Sequence, residues 1–396
     1  MVFNLRWGIL ATGGIAESEF SISIRCTFVE DLLHDPTTRG VTDVTHTVSA
    51  VASSSSKSSA DLFVERLQIP QPCATYGSYA EAVNDANVQA IYVATPHSHH
   101  FQHVMLALKA GKHVLCEKAF TVNAAQAKIL CETAQKKGLF LMEAVWTRYF
   151  PLSIEVRRLV QTGVIGEVLR VVSDLSIGAD PETAWNADHR MVNKNLAGGA
   201  LLDLGVYALT WVFQILYHTL PPSQRKAPSQ VVSHMSKFAG TGADEDTTMI
   251  ITFPTTTPSA LPNRTSHAVA MTAFRVATDP DNRGSAGPSI QIYGTTGHIQ
   301  IFGPAYRPER FRLVPTGESG DASTVQDVSM PVPNDARGMF WEADEVARCL
   351  RDGKLESEGL PWDESIAIME VMDKVRQQGD LTYPARIEST EYPLAL

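Results

Sequence analysis

Two stretches in the first part of the chain carry residue types that can hold a charged cofactor. Ala11-Thr12-Gly13-Gly14-Ile15-Ala16 is a relaxed glycine-rich turn, with alanine at its first and last signature positions. Where such a turn leaves a strand and opens a helix, backbone N–H groups and the helix dipole face a pyrophosphate, and a side chain at Gly13 would block the approach. Taken alone, the turn reads equally well as an ordinary strand-to-helix connection. Further on, Val51-Ala52-Ser53-Ser54-Ser55-Ser56-Lys57 closes the next β-branched run, with no acid before Asp61. An acid at that place accepts from an adenosine ribose 2′-OH and repels a 2′-phosphate. The hydroxyls of Ser53 and Ser54 and the ammonium of Lys57 suit the phosphate instead, although the planar arginine clamp is missing; the alternative is a polar loop of no specificity. A carboxylate and a phenol four residues apart, Asp203 and Tyr207, share one face if 201–216 is helical. Their plain alternative is that Asp203 caps that helix after Gly198-Gly199 while Tyr207 packs in a core.

The elements that would position these residues fall into two patterns. Up to residue 145, short apolar runs alternate with helical periodicity, which predicts a parallel sheet covered by helices, a Rossmann-type α/β domain. Strands are expected at 5–11, 47–52, 90–94, 113–116 and 140–144, and helices at 60–67, 100–110 and 124–137. The stretch 17–46 exceeds a minimal crossover and reads as an insertion of unknown purpose, with a helical part followed by a loop at Pro36 and Gly40. Residues 146–396 predict one helix and then extended segments at 166–177, 230–238, 247–253, 267–275, 289–293 and 298–302. That is an α+β domain on a largely antiparallel open sheet. A Pro-, Thr- and Ser-rich loop spans 254–264, and helical patterns at 339–351 and 362–377 could pack back onto the first domain.

Composition narrows the partners. The 396 residues carry a formal net charge of -10, with no basic block to attract a polyphosphate, so nucleic acid is not expected. No unbroken apolar run reaches a membrane span, and no secretory signal pattern opens the chain, so a cytoplasmic protein is expected. The five cysteines are scattered and read as reduced packing residues. The sequon at Asn263 is therefore expected to be unused. His97, His99, His100 and His103 lie too close along one segment to converge by themselves on an ion, and no metal is expected. Trp185 and Phe274 read as core residues, while His189 and Arg190 are candidates for substrate contact.

Tyr92-Val93-Ala94-Thr95-Pro96-His97-Ser98-His99-His100 and Ala110-Gly111-Lys112-His113-Val114-Leu115-Cys116-Glu117-Lys118-Ala119 carry a family resemblance, as do Met142–Tyr149, Gly198–Tyr207 and Tyr293–Gly297. Across nearly its whole length the chain resembles the glucose-fructose oxidoreductase, inositol dehydrogenase and rhizopine-catabolism family of NAD(P)-dependent oxidoreductases. Within it, the likeness runs to dimeric dihydrodiol dehydrogenases and fungal NADP-dependent D-xylose dehydrogenases.

The resemblance implies that Thr95, Pro96 and His100 line the cofactor and that Glu117 and Lys118 lie by the nicotinamide. It also implies that Trp146 and Arg148 sit near cofactor or substrate, and that Lys118, Asp203 and Tyr207 form the catalytic set. The family proline after the Glu-Lys pair is Ala119 here, so the backbone aiming Lys118 must be held by other contacts. Chemistry supports the set, because oxidising a hydroxyl needs a base for its proton. Tyr207 can serve only if a neighbouring cation lowers its pKa from about 10 toward neutrality, a stabilisation of about 4 kcal/mol. The implied reaction is NADP-dependent oxidation of an aldose at C1, with D-xylose leading, by a homodimer. A trans-dihydrodiol substrate is the alternative within the class. A non-catalytic, sugar-responsive NADP-binding regulator is the alternative outside it, and retention of Lys118, Asp203 and Tyr207 argues against that.

Overall fold

The computed structural model describes residues 2–11, 24–254, 265–316 and 325–396. The turn positions Thr12, Gly13, Gly14 and Ile15, and the loop beyond Pro254, lie outside the described residues. The chain divides into two compact units. One comprises Met1–Trp146, Val332–Ser365 and Ala385–Leu396, the other Thr147–Pro331 and Ile366–Pro384.

In the first unit β1 (Phe3–Leu10), α1 (Ile24–Leu33), β2 (Val44–Ala52), α2 (Lys57–Arg66), β3 (Ala74–Tyr76), α3 (Tyr79–Val83), β4 (Ala90–Val93), α4 (His97–Lys109), β5 (His113–Glu117), α5 (Ala124–Lys137) and β6 (Leu141–Ala144) alternate. The strands pair in parallel in the order β3-β2-β1-β4-β5-β6. Every residue of β4 and β6 is buried, as strands covered on both faces are, although β6 includes the acidic Glu143. Strand order reverses at β1, so the carboxyl ends of β1 and β4 border the crevice where a doubly wound sheet takes its ligand. The expected insertion turns out to contain α1, the crossover from β1 to β2, followed by a short 3-10 turn, Pro36–Arg39, whose cap Asp35 accepts from the N–H of Thr37.

The second unit holds α6 (Pro151–Gln161), β7 (Val168–Ser176), α7 (Pro181–Ala184), α8 (Val206–Leu216) and seven further strands. These are β8 (Gln230–Lys237), β9 (Asp244–Pro254), β10 (Thr265–Ala273), β11 (Pro288–Gly294), β12 (Gly297–Phe302), β13 (Arg310–Pro315) and β14 (Gln326–Ser329). They form one open sheet, β14-β13-β12-β11-β7-β10-β9-β8, antiparallel except where β7 meets β10. Helix α8 packs on β7 and β10, and each of its residues is buried. The helical stretch Lys194–Leu216 has the length and apolarity of a membrane span, although the sequence shows no unbroken apolar run there; 94% of its most apolar eighteen residues are buried, as in a core helix. The sheet also presents an exposed apolar cross-strand pair, Val232 on β8 opposite Ile250 on β9, 48% and 51% exposed.

After β14 the chain rejoins the first unit through α9 (Phe340–Arg351), which packs on β1 and β2. It continues through α10 (Trp362–Gln378), whose first turn belongs to the first unit and the rest to the second, and ends with α11 (Ala385–Glu388). The stretch that looked like an insertion docks on α9. The Asp31 carboxylate accepts from the N–H groups of Gly338 and Met339 at 2.7 and 2.6 Å, just ahead of α9. Arg39 grips Asp344 with two bonds of 2.9 and 2.7 Å.

Asp344 also faces His46 Nε2 at 2.9 Å, while the Trp7 indole N–H donates to His46 Nδ1 at 3.2 Å. Nδ1 is thus an acceptor, and Nε2–H donates to the carboxylate. Burial holds the His46 pKa below its ordinary value, against the pull of Asp344. A folded pKa below the unfolded one makes the unfolded chain the stronger proton binder, so stability is whole above the unfolded pKa of about 6.5 and drains as pH falls below it. Buried His100 and His103, both pushed down to about 3, drain it in the same direction. Urea midpoints should therefore fall between pH 7.5 and 5.5. His46→Gln, which keeps an acceptor and a donor but cannot be protonated, should reduce that slope by up to about 1.4 kcal/mol per pH unit. An unchanged slope would show that His46 carries no such linkage.

Candidate functional site

The crevice of the first unit opens into a pocket of about 610 Å³. Ser54, just beyond β2, and Thr95 and Pro96, just beyond β4, stand on its rim. Ser54 is exposed, whereas Ser53 is buried and its hydroxyl is bound to that of Ser55 at 2.8 Å. Lys57, expected to face a 2′-phosphate, is held in other contacts in this structure. It is the first residue of α2, whose N-cap Ser56 accepts from the N–H of Ser59. Its ammonium donates to Asp61, one turn on, at 2.9 Å and to Thr75 at 2.7 Å. That places it in a solvent-exposed ion pair, and it does not line the pocket.

The donor set around the pocket fits the adenosine half of a phosphorylated dinucleotide, with hydroxyls at the end of β2, no acid there, and flat rings along α4. Those rings are neutral. His99 and His103 stack at 5.5 Å and 26°, and burial lowers both pKa values, that of His103 to about 3.

Deeper in the same unit, β5 ends at Glu117 and Lys118 follows it, 6% and 4% exposed. The contacts that stand in for the family proline are visible. His97 Nε2 lies 3.2 Å from the Lys118 carbonyl, and His100 Nδ1 lies 2.9 Å from the Ala119 carbonyl. The N–H of Phe120 donates to Glu143 at 3.0 Å, and the Ser365 hydroxyl braces that carboxylate at 2.7 Å. The Lys118–Ala119 peptide is cis. His100 is corrected from a cofactor-lining residue to a brace. It is fully buried, and its other nitrogen faces the Thr95 carbonyl at 2.8 Å. A neutral ring donates to only one of these carbonyls at a time, and burial keeps it neutral.

Glu117 accepts from the Tyr92 hydroxyl. Glu342 on α9, which the sequence gave no reason to notice, is fully buried, and neither carboxylate oxygen finds a hydrogen-bond partner among the described residues. Burial, with the charges of Glu117 and Asp31, raises its pKa well above the ordinary carboxylate value. Trp146 is 9% exposed at the end of this unit.

Arg148 belongs to the second unit and is fully enclosed, with its carbonyl accepting from Arg157 at 2.9 Å. The expected ligand contact is thereby revised, since the side chain presents no surface. In the same unit, Asp203 lies in a π-helical turn, Leu201–Gly205, that runs into α8. Such wide turns recur at functional sites. Four residues nearly complete a turn in either helical geometry, so Asp203 and Tyr207 remain on one side. Asp203 lies inside the π turn rather than ahead of it, and the N-cap residues of the turn and of α8, Ala200 and Gly205, have no capping side chain. The first N–H, that of Leu201, donates to buried Asp244 at 2.6 Å. Asp203 accepts instead from Arg190 at 3.1 Å, which gives that arginine an orienting role its sequence context had only hinted at. Tyr207 is 5% exposed, its ring 6.0 Å from that of Tyr306. Trp185 stacks on His189 at 5.8 Å and meets Phe274 edge-on. Among the described residues, no three His, Cys, Asp or Glu side chains group as a metal site.

Comparison with known proteins places both units. Residues 8–145 match the model of an oxidoreductase family with an NAD-binding Rossmann fold, and residues 154–300 match that of the GFO/IDH/MocA C-terminal domain. A D-xylose 1-dehydrogenase (NADP(+)) of Hypocrea jecorina is 52% identical over 98% of this chain and 96% of its own. A trans-1,2-dihydrobenzene-1,2-diol dehydrogenase of Macaca fascicularis is 33% identical over 96% and 98%. Among solved structures, the aldose-aldose oxidoreductase of Caulobacter crescentus complexed with glycerol superposes with a TM-score of 0.70 at 19% identity, over 95% of this chain and 98% of that one; this likeness speaks for the fold alone.

Proposed function

Because the chain belongs to the GFO/IDH/MocA family of oxidoreductases, we propose that it oxidises an aldopyranose at C1, D-xylose first, with NADP as hydride acceptor, and releases the lactone. The observation that carries this reading is the 52% identity, spread over 98% of the chain, to a protein named for that reaction. The dihydrodiol alternative rests on a relative at 33%.

When bound, NADP accepts the hydride that leaves C1. The chain's own residues must remove the proton of the C1 hydroxyl as that carbon becomes a carbonyl. Tyr207 is assigned as the base, and a phenolate at neutral pH needs the positive charge assigned to Lys118. Asp203, oriented by Arg190, is assigned to hold the reacting hydroxyl and the phenol in line. Glu117 is assigned beside Lys118 at the nicotinamide end, Trp146 near the cofactor, and Thr95, Pro96 and Ser54 at its adenosine end. We place the protein in the cytoplasm, in keeping with its four described cysteines, all unbridged. We further propose a homodimer, which would cover the exposed Val232–Ile250 pair.

Initial rates across a panel of aldoses and trans-dihydrodiols test the reading. D-Xylose should give the highest kcat/KM, and NADP should outperform NAD. Ser54→Asp should weaken NADP binding selectively through charge repulsion with the 2′-phosphate. Preference for a diol, or for NAD, would defeat the corresponding part.

A further inference from the structure

The pocket beside α4 has a wall that the Rossmann pattern does not supply. Besides the stacked rings of His99 and His103, it is lined by residues 392–396, with Tyr392 and Leu394 among them. This tail is fastened. The Gln102 amide, 8% exposed on α4, donates from Nε2 to the Glu391 carbonyl at 2.7 Å and accepts at Oε1 from the N–H of Leu394 at 2.9 Å. Two bonds from one amide fix the register of the tail as a neighbouring strand would. Upstream, Gln126 donates to the carbonyls of Ile387 and Ser389 at 2.8 and 2.9 Å, and Asn123 donates to that of Glu388 at 3.0 Å. Three amide side chains from α4 and α5 thus spend their donors on one terminal segment.

We propose that residues 391–396 form the outer wall of the adenosine subsite and set the affinity for NADP. The inference rests on the NADP reading above. The chemistry favours this occupant. An adenine ring is flat, weakly polar and uncharged, and it fits between a stacked neutral imidazole pair and a tyrosine. Tyr79 closes the base of the platform edge-on to His103, at 4.8 Å and 83°. Neutral imidazoles offer little to a phosphate, whereas Ser54 on the same rim lies at the end of β2, where the ribose 2′ substituent of a bound dinucleotide falls. The tail would then act as a preorganised wall, its ordering already supplied by Gln102 before the cofactor arrives.

Calorimetric titration of the full chain with NADP and with adenosine 2′,5′-bisphosphate tests this. Gln102→Leu, which releases the tail at both bonds, and a chain ending at residue 390 should each raise Kd by about tenfold. The rise should be the same for both ligands, because the bisphosphate lacks the nicotinamide half. Unchanged affinity, tighter binding, or a rise for NADP without one for the bisphosphate would overturn the proposal. Tyr392→Ala leaves the Gln102 bonds in place, and it decides the matter if the shortened chain does not fold, since an unchanged Kd there is equally fatal. A wild-type chain that binds neither ligand would instead refute the NADP reading itself.

Discussion

Tyr207→Phe is expected to lower kcat for sugar oxidation by roughly 10² to 10⁴-fold while leaving the thermal midpoint nearly unchanged. The substitution removes one oxygen and preserves the ring, which is 5% exposed and lies 6.0 Å from Tyr306, so packing on that side survives. What is lost is the group assigned to take the hydroxyl proton. Lys118→Met should cost a similar factor, because a neutral side chain cannot favour a phenolate. If the two residues serve one proton transfer, the double variant should be little worse than either single one, whereas independent roles would multiply the losses. The pH dependence gives a second reading: the wild-type rate should rise with an apparent pKa well below about 10, and that limb should vanish in Tyr207→Phe. Near-normal turnover with the limb intact would make Tyr207 a packing residue.

Gly199→Ala should strongly destabilise the second unit. Gly199 has φ +141°, and a Cβ there would stand 1.9 Å from Asp244 Oδ1. Asp244 cannot simply withdraw, since it is fully buried and its other oxygen accepts from the N–H of Leu201 at 2.6 Å, opening the turn that carries Asp203. Desolvation has already pushed its pKa up to about 6. The added methyl must therefore either displace a buried acid from its bond to the Leu201 N–H or distort the start of the helix. Backbone strain and a lost buried bond together cost on the order of 4 kcal/mol. Chemical denaturation should show that loss, and whatever folds should turn over slowly, because Asp203 and Tyr207 follow directly. Asp244→Ala alone should also destabilise. Combined with Gly199→Ala, it should cost less than the sum of the two, since the clash is gone. A Gly199→Ala protein within about 1 kcal/mol of wild type would contradict the clamp.

Much of the first unit could be read from periodicity, because a strand buried on both faces, such as β4, is a short continuous apolar run. Three-residue β3, with Ala74, Thr75 and Tyr76 all half-buried, offers no such run. Strands β13 and β14 were missed for another reason. Phe311 and Leu313 point inward, but the outward Arg310 and Arg312 look like loop residues until Arg312 meets Asp327 on the neighbouring strand at 2.9 Å. Lys57 misled because a run of serines looks like a loop, whereas Ser56 is a helix cap and turns the next residue toward Asp61. At the candidate site, the residue types and the four-residue spacing of Asp203 and Tyr207 were visible. The clamp on them was not, because Asp244 and Arg190 reach that turn from outside the helix, and helical periodicity does not register partners outside its own element. The π geometry was hidden for a related reason, since a five-residue wide turn leaves the apolar pattern of an α-helix nearly intact.

The most direct test of the proposed reaction is oxidation of D-xylose carrying deuterium at C1. Each lactone formed should deliver one deuterium to the reduced NADP, read by mass spectrometry of the isolated cofactor, and the same transfer should be all but lost in Tyr207→Phe. Reduced NADP formed from that sugar without the label would show that hydride leaves another carbon. No turnover of D-xylose alongside brisk oxidation of a trans-dihydrodiol would show that the sugar is not the substrate.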